Sequence, residues 1–380
     1  MNTFLDYCLA NHDWLLELIE TLVAIESPSD DPAAVNRCGD ELAARLESIG
    51  AQVTRVPSAT AGAHLRAGFG AGSRQILLLG HFDTVWPIGQ LARMPLRREA
   101  GRLYGPGVFD MKAGIALAML ATRAVIDRGG LDDGRIVMLW TTDEETGSRT
   151  SRALIEAEAT KSEAVLVFEP SLPGGALKTS RKGVGQFEMI ARGVSSHAGL
   201  DAGKGVSAVR ELARQIVAID DLQDPENGVT LTVGVISGGT RANVVPAEAR
   251  ATIDARAITR ADADRVQRTM RSLQPYLRGA SVEVTGGFDR PPLERTAAVE
   301  RLFMQAKSVA AQIGVDLQEG SAGGGSDGNF TAAIGVPTLD GFGAIGDGAH
   351  ALHEHVEIDA LVSRAAAIAG LLQSLKPPKP

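Results

Sequence analysis

Aromatic side chains are scarce: 3 Trp, 3 Tyr and 10 Phe make up 4% of 380 residues. Burial must therefore rest on Ala, Leu, Val and Ile, within an ordinary globular balance of 44% hydrophobic and 22% charged residues. Cysteine is nearly absent. Cys8 and Cys38 are too few for a disulfide framework and lack metal-ligand neighbours, so they read as small buried hydrophobes in helical patterns. No apolar run approaches the roughly eighteen residues of a transmembrane helix. No basic region precedes an apolar run at the N-terminus, so no secretory signal is expected and a cytoplasmic location is. Positive charge is also short. The formal net charge is −8, which argues against the basic face that nucleic acid requires. Internal repeats and low-complexity tracts are missing. Nor is a Gly-x-Ser-x-Gly elbow read at a strand-to-helix turn, which sets a serine hydrolase aside.

Four apolar segments each lead to a residue able to bind a metal. Ile76–Gly80 precedes His81 and Asp83, and Leu103–Phe109 delivers Asp110 before a helical pattern. Ile136–Trp140 is followed, after two threonines, by Asp143, Glu144 and Glu145, and Ala164–Phe168 by Glu169. Short apolar runs between helical patterns read as buried strands of an α/β sheet. Ligands of such sheets sit outside the carboxyl ends of the strands, so one histidine and several carboxylates should converge there. Imidazole and carboxylate oxygen suit zinc, cobalt or manganese, and more than four such groups suit two ions better than one.

The spacing predicts a helix through Trp14–Val23 that stops at Ser27-Pro28, and another from Pro32 to Ile49. Strands and helices alternate to about Arg181, which implies a sheet covered on both faces. The pattern then becomes strand 185–194, helix 206–219, strands 229–235 and 249–258, helix 260–273 and strand 281–285. That β-α-β-β-α-β order is ferredoxin-like. It fits an inserted domain over 182–292, between a first part, 1–181, and a second part, 293–380, of the main domain. Pro291-Pro292 marks the return. A helix follows from Thr296, an N-cap, to Ile313, and the glycine-rich stretch 323–329 leads back to the sheet. The last helix spans 361–375, ahead of a frayed proline-rich tail.

Each site residue has a plainer reading. His81 and Asp83, two apart at a strand end, would face the same way on a continuing strand, but a polar loop would look alike. As a pair, Asp83 would fix the tautomer of a liganding His81. Three adjacent carboxylates at 143–145 are costly unless a cation or water screens them. A Glu beside a liganding Glu is placed to act as general base. Asp110 could be an N-cap instead of a ligand, and Glu169 a surface residue. His350, His353 and His355 lie within six residues, although the whole chain has only 7 histidines.

Together these stretches resemble the co-catalytic zinc metallopeptidase family of glutamate carboxypeptidase, aminoacylase, acetylornithine deacetylase and succinyl-diaminopimelate desuccinylase. The matching motifs are Gly80–Val85, Gly105–Gly114, Asp143–Ser148, Glu169-Pro170, Ser195–Gly199 and Asn243–Pro246. The likeness runs along essentially the whole chain. It is strongest to the bacterial glutamate carboxypeptidase branch, through Arg181-Lys182-Gly183 and the offset from Asn243 to Arg256.

The resemblance implies a mixed-sheet catalytic domain with helices on both faces and an inserted ferredoxin-like α+β dimerisation or lid domain. It implies two Zn²⁺ per chain, replaceable by Co²⁺ or Mn²⁺. Asp110 would bridge them, with His81 and Glu169 on one ion and Glu145 and His350 on the other. The family's last ligand often reads His, three residues, Glu, which selects His350 over His353. Glu144 would be the general base and Asp83 the orienter of His81. His197 would reach the site of a second copy, helped by Asn243, while Arg256 would hold a substrate carboxylate. The expected activity is cleavage, by a metal-held hydroxide, of the amide next to a C-terminal amino acid. The expected partners are a small-molecule or short peptide substrate and a homodimer mate, with neither membrane nor nucleic acid. The rivals are an N-acyl-amino-acid deacylase of the same family and a metal-binding protein without turnover.

Overall fold

The computed structural model describes residues 3–131 and 133–375, so the proline-rich tail lies outside the described residues. The chain splits into two compact units. One comprises Met1–Thr179, Arg295–Ser321 and Ser326–Pro380, the other Ser180–Glu294 with Ala322–Gly325.

The first unit is built on a six-stranded sheet, in the order Gln52–Val56, His64–Phe69, Gly134–Thr141, Arg74–His81, Ser162–Val167, Thr338–Leu339. The last four strands are parallel and the first two antiparallel, so the sheet is mixed. Side chains alternate across a strand, and both faces are apolar here. Ile76, Leu78, Met138, Trp140 and Leu166 join one core with residues of the helices His12–Ala24, Pro32–Ser48, Ala113–Gly129 and Ile358–Ser374. Leu77, Leu79, Val137, Leu139, Val165 and Val167 join another, with Ile155, Ala159 and Phe330. Continuous apolar runs, not alternating ones, therefore mark these strands. Cys8 and Cys38 are buried thiols in the first core, as expected.

The helix starts follow local chemistry. Asp31 accepts from the N–H of Ala34 ahead of Pro32, and Thr296 accepts from Val299 to open the helix Ala297–Ala311. One expected strand fails. Leu103–Phe109 is not a strand of the main sheet: only Arg102–Tyr104 is extended, and it pairs in a separate small sheet with His355–Glu357. The remainder turns through Gly107 at φ 72°, which a strand excludes.

The second unit has four antiparallel strands in the order Thr230–Gly238, Glu248–Ala257, Gly183–Arg192, Ser281–Arg290. With the helices Ala208–Asp220 and Arg260–Arg271 in sequence between them, this is the ferredoxin-like order. Phe187, Met189, Ala251, Ile253, Leu212, Val266 and Met270 fill its core. Ser207 and Thr259 cap the two helices. The glycine-rich stretch leads back to the main sheet through the helix Gly328–Ala333 and the strand Thr338–Leu339, and on the way Nη1 of Arg181 donates to the carbonyls of Gly324 and Gly325 at 3.1 Å each. Among the described residues no helix is long and apolar enough to cross a membrane.

Candidate metal centre

His81 closes the strand Arg74–His81. A Cβ on the preceding Gly80 would lie 2.1 Å from Cε of Met111, so a larger residue there would displace the end of that methionine. The strand does not continue to Asp83, yet the turn still brings Asp83 to the ring. Nδ1 of His81 lies 3.0 Å from the Asp83 carbonyl and 3.4 Å from its carboxylate. A carbonyl only accepts, so Nδ1 carries a proton and Nε2 is the nitrogen left for a metal. The buried Asp83 carboxylate accepts from Oγ of Ser29 at 2.7 Å and stands 3.4 Å from the N–H groups of Glu144 and Glu145.

Nε2 of His81 faces Asp110 Oδ1 at 3.4 Å and Glu169 Oε1 at 3.6 Å. The other oxygen of Asp110 faces Nε2 of His350 at 3.4 Å, and that nitrogen is 3.2 Å from Glu145 Oε1. Two triads thus share one carboxylate: His81, Asp110 and Glu169, and Asp110, Glu145 and His350. The ligand atoms of each lie within 4.8 Å of one another. Asp110 is not an N-cap, because the helix opens at Ala113 behind Lys112. His350 adopts φ 60°, a region sparsely used by non-glycine residues and held only where the surroundings impose it. His353 belongs to neither triad.

Electrostatics in the cluster is strained. Burial works against charging His81, yet Asp110, Asp83 and Glu169 raise its pKa well above the ordinary value. His350 is pushed up to about 10 by Asp110 and then Glu145. Burial would raise the Asp110 carboxyl, but His350 and His81 hold it well below the usual range. Glu145 is raised by burial, with His350 opposing. A divalent cation would replace those protons as the neutralising charge. Oδ1 of Asp110 is buried with no hydrogen-bond partner, as a ligand oxygen turned toward an ion would be. The imidazole and carboxylate donors therefore fit a pair of divalent ions.

Glu144 opens a short 3₁₀ turn, Glu144–Thr146, directly after Asp143. Asp143 faces the other way and accepts from the N–H and hydroxyl of Thr150 at 2.7 and 2.8 Å. His197, Asn243 and Arg256 belong to the second unit. Exposed His197 accepts on Nδ1 from the N–H groups of Gly199 and Leu200, which places its proton on Nε2. Ala198 donates to the Asn243 carbonyl at 2.9 Å, so these two turns are neighbours. Arg256 engages the Asp254 carboxylate through two nitrogens, each at 2.8 Å.

The serine elbow needs correction. Gly324-Gly325-Ser326-Asp327-Gly328 does spell the pattern, and it lies between the strand Glu319–Ala322 and the helix Gly328–Ala333. Ser326 is fully buried and donates to Asp340 at 2.5 Å, so it is a structural hydroxyl. Sequence reasoning also missed Ser29, Trp86 and the half-buried Arg364. Nε of Arg364 donates to the Gly343 carbonyl at 2.7 Å, and the Gly343 N–H to the Glu169 carbonyl at 2.9 Å. None of these carries a local motif. Glu354 was in view only as a spacing mark beyond His350.

The model of Peptidase family M20/M25/M40 matches residues 77–374. Carboxypeptidase G2 of Pseudomonas sp. (strain RS-16) is 31% identical over 369 residues, covering 95% of this chain and 89% of its own. Succinyl-diaminopimelate desuccinylase of Leptothrix cholodnii is 29% identical over 374 residues, covering 91% and 94%. In fold, the chain is similar to aminopeptidase PepT from Bacillus cereus, with TM-score 0.80, 22% identity and coverage of 96% and 98%. It is also similar to a dinuclear metal-binding peptidase of family M20 from Bacillus subtilis, with TM-score 0.70, 15% identity and coverage of 97% and 99%. With two histidine–carboxylate triads that share Asp110 and a family match over most of its length, the chain belongs to Peptidase family M20/M25/M40 and is a metal-dependent hydrolase.

Proposed function

We propose that this chain is a glutamate carboxypeptidase-like exopeptidase, cleaving the amide next to a C-terminal amino acid that bears a free carboxylate. The observation that carries the reading is the single carboxylate of Asp110 shared between two triads, with Glu144 next to the triad residue Glu145 in the 3₁₀ turn Glu144–Thr146. The 31% identity to carboxypeptidase G2 supports the peptide-like substrate. His81, Asp110 and Glu169 would hold one ion, and Asp110, Glu145 and His350 the other; the donor set suits Zn²⁺, with Co²⁺ or Mn²⁺ as substitutes. When bound, the pair supplies Lewis-acid polarisation of the scissile carbonyl and a more acidic water.

The remaining work falls to the protein. Glu144 takes the water proton and passes it to the leaving amine. Asp83 keeps Nδ1 of His81 protonated and steadies the Glu144-Glu145 turn. The Nε2 proton of His197 is a donor for the developing oxyanion, with Asn243 beside it. Arg256 holds the substrate carboxylate, for which it must leave Asp254.

We read the second unit as the dimerisation and lid domain, so that His197 serves the site of a second copy. Its outer strand Thr230–Gly238 carries no charged residue and leaves Val235 and Ile236 62% and 64% exposed. An uncharged free edge of that kind favours pairing with another strand.

The desuccinylase relatives favour a second reading, an N-acyl-amino-acid deacylase with the same machinery. A release assay decides, using N-acylated amino acids and dipeptides with defined zinc, cobalt or manganese. Turnover of dipeptides ending in a free carboxylate supports the first reading. Turnover of N-acyl amino acids alone supports the second, and no turnover on any panel member rejects both.

A further inference from the structure

Glu354 is 1% exposed and takes no part in either triad. Its carboxylate accepts four hydrogen bonds. Oε1 receives the N–H groups of Phe109 at 2.9 Å and Asp110 at 3.0 Å. Oε2 receives the N–H of Gly107 at 2.9 Å and the indole Nε1 of Trp86 at 2.8 Å. Backbone N–H groups converging within a few residues form an anion-binding concavity, and this one is filled by the chain's own carboxylate.

The same residue is tied on its main chain. Its N–H donates to the Ala351 carbonyl at 3.0 Å, closing the turn Ala351–Glu354 that directly follows His350. Its carbonyl accepts from the N–H of Gly105 at 3.4 Å. One side chain thus joins the turn after His81, the turn ending at Asp110 and the turn beyond His350. A stability role alone would not require placing a second carboxylate beside Asp110, where like charges in a buried setting repel. Only two side-chain torsions separate the fixed N–H of Asp110 from its ligand oxygens, so the position of that N–H largely sets where they fall.

We propose that Glu354 is a positioning residue for the metal pair, holding the main chain of Asp110 and the His350 turn so that both present their ligand atoms to one ion. The proposal rests on the metal-binding reading of the two triads. Its readout is metal affinity of the chelator-treated chain, titrated with zinc against a chromophoric chelator, beside the thermal midpoint of the metal-free form. Wild type should take up about two ions. E354Q keeps the side-chain volume but offers fewer lone pairs and a misplaced donor. It should bind zinc ~10–100-fold more weakly, the usual loss when a group behind a ligand is removed. The loss should be larger for the ion that needs both Asp110 and His350. E354D retains the carboxylate on a shorter arm and should recover part of the affinity. If E354Q does not fold, E354D carries the test, and its zinc affinity should fall below wild type. A folded variant with a lower thermal midpoint and wild-type affinity for both ions overturns the proposal, because Glu354 is then only structural. A wild-type chain that binds no zinc defeats the metal reading itself and this proposal with it.

Discussion

Nε2 of His350 stands 3.4 Å from Oδ2 of Asp110, across nearly two-thirds of the chain. The contact joins the C-terminal histidine cluster to the turn that precedes the helix Ala113–Gly129. It separates His350 from His353, which stands in neither triad. His350→Ala should therefore lower metal occupancy far more than His353→Ala. Metal titration of the two variants decides, and the reverse order would transfer the ligand role to His353.

Asp110 contributes one oxygen to each triad. Elemental analysis of the active enzyme should find about two ions per chain. Chelation should abolish activity and re-addition restore it, and Asp110→Ala should lose both ions together. Full activity in a metal-free preparation would sink the mechanism.

Glu144 adjoins a triad residue but belongs to neither triad. Glu144→Gln keeps the shape and removes the base, so turnover should drop by about 10²–10⁴-fold while metal content stays at the wild-type level. Loss of metal from this variant would instead make Glu144 a ligand.

Metal uptake should expel protons. In the metal-free chain both triad histidines have raised pKa values, His350 to about 10, so both rings are protonated near neutrality. A liganding nitrogen must be bare. Affinity should therefore rise with pH from neutrality and level off as the histidine pKa values are passed. At neutral pH the release should be about one proton per displaced histidine. Calorimetric titration in two buffers of different ionisation enthalpy reads that number. Identical heats in both buffers contradict it.

His197 lies in the second unit. If it serves the site of another copy, His197→Ala and Glu144→Gln chains, each inactive alone, should regain part of the activity when mixed and refolded. A mixed dimer has one site with both Glu144 and a partner-supplied His197. A mixed dimer that forms yet stays inactive means His197 acts within its own chain or not at all.

Most of the fold is legible in the order of residues. Runs such as Ile76–Leu79 and Val137–Leu139 are apolar at every position, because both faces of their sheet are covered, and that local pattern marks a buried parallel strand. The caps at Asp31 and Thr296 and the β-α-β-β-α-β alternation are equally local. The candidate ligands stand out because each follows such a run or belongs to the histidine cluster. Tertiary structure alone decided the rest. Leu103–Phe109 is as apolar as a strand, but the glycines within it bend the chain so that Asp110 reaches two histidines. The Gly324–Gly328 elbow carries a serine pattern, and only burial against Asp340 removes it from chemistry. Glu354 reads as one more acidic residue in a turn. Its four donors come from positions 244 to 268 residues away, and no local pattern encodes so distant a convergence.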